Sequence, residues 1–334
     1  MPNNKHLILI SLISLSNLIS AFPQKPAPVK LESDNEYINC ASFSEGGSMV
    51  AYSDGNDVRI INLADNSAKA VQASGHRDKV LSIDISHDSS LIVSGGRDNL
   101  IVVNDINGRI YKVLDYHTGK VTAVKFDPTG KYIYSGSTDK RVVCYSLDEN
   151  KIVFDKEVHT SDILSIDVSN DGRMVASGGA DHMVFILDAK TGDVIKDLGS
   201  QKSWVRCVRF TGDQSKLAVC TDNGKISLWQ TNNRGDIFLI EKQKYSLHWI
   251  TSIDFLPDNS SFIFSTDNGL VSVRFFGNVY KRRFGVPVRM IRIRPPATGF
   301  FNVVVATYGK GIYLAPSSFL MKESIHAPDS NFIP

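Results

Sequence analysis

One stretch, His159 to Asp188, constrains this chain more than any other. It opens on His159, and an alternating run follows at Ile163–Val168. Asn170-Asp171-Gly172 reverses the chain, Met174–Ser177 forms a second run, and Gly178-Gly179-Ala180-Asp181 turns it again. A third run, Met183–Leu187, ends at Asp188, and Val194–Leu198 supplies a fourth after Thr191-Gly192. Period-two runs broken by Asp-Gly and Gly-Gly pairs read as antiparallel strands joined in hairpins. The unit is a four-stranded meander.

The chain writes this unit repeatedly. The apolar residue before the first turn recurs as Phe43, Ile85, Phe126, Val168, Phe210, Phe255 and Ile293, at steps of 42, 41, 42, 42, 45 and 38 residues. A meander with two apolar faces cannot bury both alone, and stacking such units around an axis buries them and protects their edges. A four-stranded period of this length is that of propeller blades. The expected fold is all-β, a single seven-bladed propeller of four-stranded antiparallel blades over residues 34–325, with 326–334 as a tail.

These copies resemble the WD-repeat family, in which Gly-His opens a repeat and Trp-Asp closes its third strand. Gly75-His76 matches in full, and His117 and His159 keep the histidine. Hydroxyls follow at Ser94, Ser135 and Ser177, and acids at Asp98, Asp139 and Asp181. The closing Trp position holds Ile61, Asn104, Tyr145, Leu187, Trp229, Arg274 and Ala315. The spacing is therefore the specific part of the likeness, and blades 2 to 4 alone carry the His-Ser-Asp set. Because each His sits at one repeat position, its expected role is structural: a hydrogen bond to its own blade's Asp that orients the turn between the second and third strands.

With 334 residues and a formal charge of +2, the chain has no global attraction for nucleic acid. Residues 1–21 stand outside the repeat. Lys5 and His6 precede an apolar run, Leu7–Leu15, and small Ser20-Ala21 precedes Phe22-Pro23. That is a secretory signal pattern, cleaved after Ala21, and it sets the expected location in a bacterial periplasm. The rival reading makes 7–15 a strand of the ring in a cytosolic protein. Residues 22–33 read as a linker. Its end, Val29–Ser33, is one candidate for the strand that closes the ring, and Phe319–Lys322 is the other. Cys40, Cys144, Cys207 and Cys220 lie in strands and read as small buried residues, with a Cys207–Cys220 disulfide as the sharper alternative.

Catalytic motifs are missing from the sequence: no Gly-x-Ser-x-Gly, phosphate loop or HExxH, and no metal-ligand spacing. Asp167-x-x-x-Asp171 recurs as Asp84-x-x-x-Asp88 and in part as Asp254-x-x-x-Asp258, and all are assigned to turns. Channel-facing positions read as mostly apolar or Ser/Thr, which argues against the rival of a lactonase- or hydrolase-like propeller enzyme. No cofactor or metal is expected.

The family resemblance implies that partners dock on the face where loops into the first strand meet loops between the second and third strands. Residues placed there are Lys79, Arg97, Lys120, Asp162, Trp204, Asp222, Trp249 and Asp267, with Tyr37 and Pro287 at the matching positions of blades 1 and 7. Blades 2 and 3 read as basic on this face, blades 4 to 6 as acidic and aromatic. Two Trp at one repeat position are hot-spot material. A second feature, Lys281–Arg294, holds six basic residues and reads as a polar outer edge or as a contact for an acidic protein or lipid headgroup. The expected function is a non-enzymatic protein-interaction scaffold within a larger assembly.

Overall fold

The computed structural model describes residues 29–31, 38–63, 71–73, 75–231, 236–275, 277–294, 302–308 and 311–321. The expected leader, Tyr37 and the C-terminal tail lie outside the described residues. Seven four-stranded antiparallel sheets form the fold. In six of them the sheet order is the chain order. They span Ala41–Ala73, Val80–Leu114, Val121–Glu157, Ile163–Asp197, Val205–Lys244 and Ile250–Arg283, here blades 1 to 6. Blade 7 takes three strands from Val288–Pro316 and its outermost strand from Val29–Leu31, which pairs antiparallel with Ile312–Leu314.

The first candidate for ring closure is therefore the strand that closes it. The second, Phe319–Lys322, is not a strand over its described part: Ser317–Leu320 form one helical turn. Pro316 stops the preceding strand, since it has no N–H for a ladder, and Leu320 is buried in the core of blades 6 and 7. The Phe319 ring packs edge-on against Phe284, at 6.1 Å between centroids.

First strands of neighbouring blades touch all the way round, and blade 1 meets blade 7. They are the innermost strands. The core is made between blades: Val93, Ile101 and Val103 of blade 2 pack on Val121, Val124 and Phe126 of blade 3. Close approach needs a small residue on the second strand. A Cβ at Gly95, Gly136 or Gly178 would run into Val121, Ile163 or Val205 of the next blade, which is why the hydroxyl before each is followed by glycine. Burial falls away toward the rim, and every residue of the outer strand Val194–Asp197 is exposed.

Cys207 and Cys220 are direct register partners, but all four cysteines are free and buried. Directly opposed residues of an antiparallel pair keep their Cβ atoms about 4.5–5.5 Å apart, wider than the ~3.8 Å typical of a disulfide. Burial pushes the Cys40 thiol up to about 12 and raises Cys207 and Cys220 as well, so these thiols are unreactive.

Candidate docking face

The turn between second and third strands is latched in blades 2 to 4. His76 Nδ1 lies 3.0 Å from Asp98 and its Nε2 2.9 Å from Ser94 Oγ. The corresponding distances are 2.8 and 2.8 Å for His117 with Asp139 and Ser135. For His159 with Asp181 and Ser177 they are 3.0 and 2.9 Å. Each carboxylate also accepts the backbone N–H after its His, from Arg77, Thr118 or Thr160. Burial works against the charge on Asp139, and the hydrogen bond and charge of His117 together with the backbone N–H groups of Thr118 and Arg141 outweigh it, holding the carboxyl at about 2. Burial also pulls His159 below the ordinary imidazole value, against the opposing pull of Asp181. Asp–His–Ser is the connectivity of a hydrolytic triad. Here Ser135 and Ser177 are 0% exposed and Ser94 1%, so no substrate reaches the hydroxyl.

The latched turns sit against the loops that enter the first strand, and one bond joins each pair. Arg97 N–H donates to the Lys79 carbonyl (2.8 Å), Thr138 to Lys120 (2.9 Å) and Ala180 to Asp162 (2.8 Å). In blades 5 and 6, Asp222 donates to Trp204 and Asp267 to Trp249, both at 3.1 Å. The positions placed on this face by sequence are thus neighbours in pairs. Arg97, Lys120, Asp162, Trp204 and Trp249 are exposed, while Lys79, Asp222 and Asp267 are half-buried.

Trp204 and Trp249 do not touch face to face. Arg206 lies between them, its guanidinium carbon 4.8 Å from the Trp204 ring and 4.7 Å from the Trp249 ring. One blade on, Arg289 lies over Tyr308 at 5.2 Å. Leu247, in the loop leading to Trp249, is 85% exposed. Among the described residues, every exposed large hydrophobic side chain except Ile106 lies either on a blade's outermost strand or in this cluster on blades 5 to 7. Sequence reading missed Arg206, Leu247, Arg289 and Tyr308. Arg206 and Arg289 each stand two residues after a face position, a spacing that marks them as the next residues on the same side.

The opposite end of the channel corrects a sequence-based expectation. The residue before each apolar anchor is Ser42, Asp84, Lys125, Asp167, Arg209, Asp254 and Arg292, and all seven line a basin of about 570 Å³. Apart from Ser42 the charges alternate around the ring. Lys125 Nζ is 2.8 Å from Asp84, and Arg209 lies 3.4 Å from Asp167 and 3.0 Å from Asp254. Each carboxylate also accepts a backbone N–H from the innermost strand of the next blade: Phe126 to Asp84, Phe210 to Asp167 and Ile293 to Asp254. Asp84, Asp167 and Asp254 are therefore inter-blade ties, and only Asp88, Asp171 and Asp258 serve the turns, through Ser86, Ser169 and Ser261. Burial opposes the charge on Arg209, and Asp254, Asp167 and Asp84 outweigh it. An odd ring cannot alternate completely, and Ser42 is its neutral member, donating to Asp84 at 3.2 Å. Both oxygens of each carboxylate are engaged, so this ring offers no free general base.

Lys281–Arg294 is not one basic face. Lys281 to Arg283 end the outer strand of blade 6, and Arg289 to Arg294 lie on the innermost strand of blade 7. Arg282 stacks on Phe319 at 4.4 Å, and Arg294 donates to the Gly47 carbonyl at 2.6 Å.

Comparison with known proteins fits this architecture. The model of the WD domain, G-beta repeat, matches residues 69–105, 108–146, 150–188 and 192–230. Protein hir1 of Schizosaccharomyces pombe is 28% identical over 50% of this chain and 21% of its own length. The COMPASS component SWD3 of Saccharomyces cerevisiae is 23% identical over 57% of this chain and 63% of its own. The chain thus spans less than two thirds of either relative. The β-propeller domain of Cps50 (Swd1) from Myceliophteria thermophila superposes with a TM-score of 0.76 at 14% identity, covering 86% of this chain and 99% of that domain. Each matched segment runs from the outermost strand of one blade through the first three strands of the next, so the likeness falls on blades 2 to 5 of a single seven-bladed β-propeller.

Proposed function

We propose that the protein is a non-enzymatic scaffold that docks protein partners on the face bearing Lys79, Arg97, Lys120, Asp162, Trp204, Asp222, Trp249 and Asp267. The observation that carries this is the aromatic cluster on blades 5 to 7, among the described residues the one place off the outer strands where the fold leaves several large apolar side chains in water. Resemblance to a COMPASS component supports membership of a multiprotein assembly. Basic residues on blades 2 and 3 beside acidic ones on blades 4 to 6 would set the register of a partner with complementary halves. The test is recovery of bound partners by the full chain and by the Trp204→Ala/Trp249→Ala variant. Loss of partners, with an unchanged circular dichroism spectrum, is expected. Equal recovery removes the two Trp from the docking face.

Export to a periplasm is the proposed location, supported by Lys5, the apolar run at 7–15 and Ala21. A cytosolic scaffold is the second reading, favoured by the four free thiols, which need no oxidising compartment. Intact mass after cell fractionation separates them: loss of residues 1–21 supports export, and a full-length chain in the cytosol supports the alternative.

A further inference from the structure

Each innermost strand of blades 2 to 7 carries a bulge one residue after its first apolar position, at Leu81, Thr122, Leu164, Arg206, Thr251 and Arg289. Asn39 holds the matching place in blade 1. Where this residue is Asn or Thr, it bonds to the next blade. Asn39 donates to the Val80 carbonyl (3.0 Å), Thr122 to Ile163 (2.5 Å) and Thr251 to Val288 (2.7 Å). The two arginines do something else. They stack on Trp204, Trp249 and Tyr308, and Arg206 Nε is buried without a hydrogen-bond partner. Stacking covers the flat faces of a guanidinium and leaves its N–H edge for recognition.

Arg206 and Arg289 are the only charged residues at this position around the ring, so the charges on the innermost strands at the channel mouth on the docking face are both cationic. Burial lowers the Arg206 pKa, Asp222 and Asp267 oppose that, and the like charge of Arg289 adds to it. Asp222 and Asp267 follow the second strands, one strand farther from the axis. An anionic group placed between the two arginines would relieve their repulsion and supply the acceptor that Arg206 lacks.

We propose that this mouth receives the carboxylate of an Asp or Glu side chain, carried by an extended acidic and apolar segment of a protein partner; this rests on the docking face proposed above. Trp204, Leu247, Trp249 and Tyr308 form the apolar rim for the residues flanking that carboxylate. A basic peptide would meet two guanidiniums at the axis, with the facing sides of both Trp rings already taken by Arg206. A nucleic-acid strand, with its run of phosphates, would meet Asp162, Asp222 and Asp267 around the same mouth.

The experiment is selection of a displayed random dodecapeptide library on the immobilised full chain. Sequencing follows, with fluorescence anisotropy on the most enriched peptide. Enrichment of Asp or Glu beside large apolar residues is expected. Replacing the acid of the selected peptide by its amide, or making Arg206→Gln, should each weaken binding roughly tenfold or more. Arg289→Gln, at an exposed site, provides a second variant should Arg206→Gln misfold. Winners rich in Lys or Arg, or without charge bias, that still need Trp204 and Trp249 overturn the acidic reading and leave the docking face standing. Winners indifferent to both Trp overturn the docking face itself. A selection with no enriched peptide overturns the acidic reading.

Discussion

In blade 3 the turn between the second and third strands is Ser137-Thr138-Asp139-Lys140, and in blade 5 it is Thr221-Asp222-Asn223-Gly224. The blade 3 turn is held from outside, by His117 twenty-two residues upstream. That anchoring lets a non-glycine residue sit in the left-handed region: Lys140 has φ 72°, and Asn99 and His182 match it in blades 2 and 4. The blade 5 turn is held from inside. Gln201 replaces the His, Thr221 Oγ1 donates to Asn223 Oδ1 at 2.7 Å, and Gly224 takes φ 77°. Blade 6 repeats this with Thr266, Asn268 and Gly269. A remote latch ties the turn to the loop before the first strand through a side chain. A local turn needs no side chain from the loop above it, and in blades 5 and 6 that loop presents Trp204, Leu247 and Trp249.

Breaking a latch should cost most. Asp139→Ala removes the acceptor of His117, Thr118 and Arg141, and urea unfolding should show a loss of about 3 kcal/mol. A loss no larger than that of Asn223→Ala would erase the distinction between the two turns. Gly224→Ala comes next, at about 2 kcal/mol, because φ is positive and the added Cβ runs into the Ser246 carbonyl. Since Ser246 precedes Leu247 and Trp249, this variant should also weaken partner binding, which Lys140→Ala should not.

Acid should act on the latched blades in two stages. His159 has a lowered native value, so the unfolded chain takes its proton first, and stability falls as pH drops below about 6.5. Asp139 is held at about 2, so its contribution is complete above pH ~4 and is lost as pH falls toward 2. Denaturant midpoints from pH 7 to 2 should show both stages, and His159→Gln should flatten the first. The smallest effect is Lys140→Gly, a gain of about 0.5 kcal/mol from relieved backbone strain. A loss there would mean that the latch leaves no strain to relieve.

The blades were legible because their signals are local. Alternating runs, Asp-Gly turns and the period of Phe43 to Ile293 needed nothing beyond neighbouring residues. The Thr-Asp-Asn-Gly repeat at 221 and 266 was equally local and was overlooked because it lacks the His-Ser-Asp set. Asp84 was misplaced for a different reason. Its pattern with Asp88 resembles a turn, yet its partners Lys125 and Phe126 lie 41 and 42 residues away on the next blade.

By itself the sequence determined the class, the number of blades, the latched turns and the loop positions of Trp204 and Trp249, since each follows from chain-local periodicity. Only the tertiary structure decided that Val29–Leu31 closes the ring, that six charges alternate around one end of the channel, and that Arg206 fills the gap between two Trp. Those depend on which residues of separate blades face the same axis, and that relation exists only once the ring has closed.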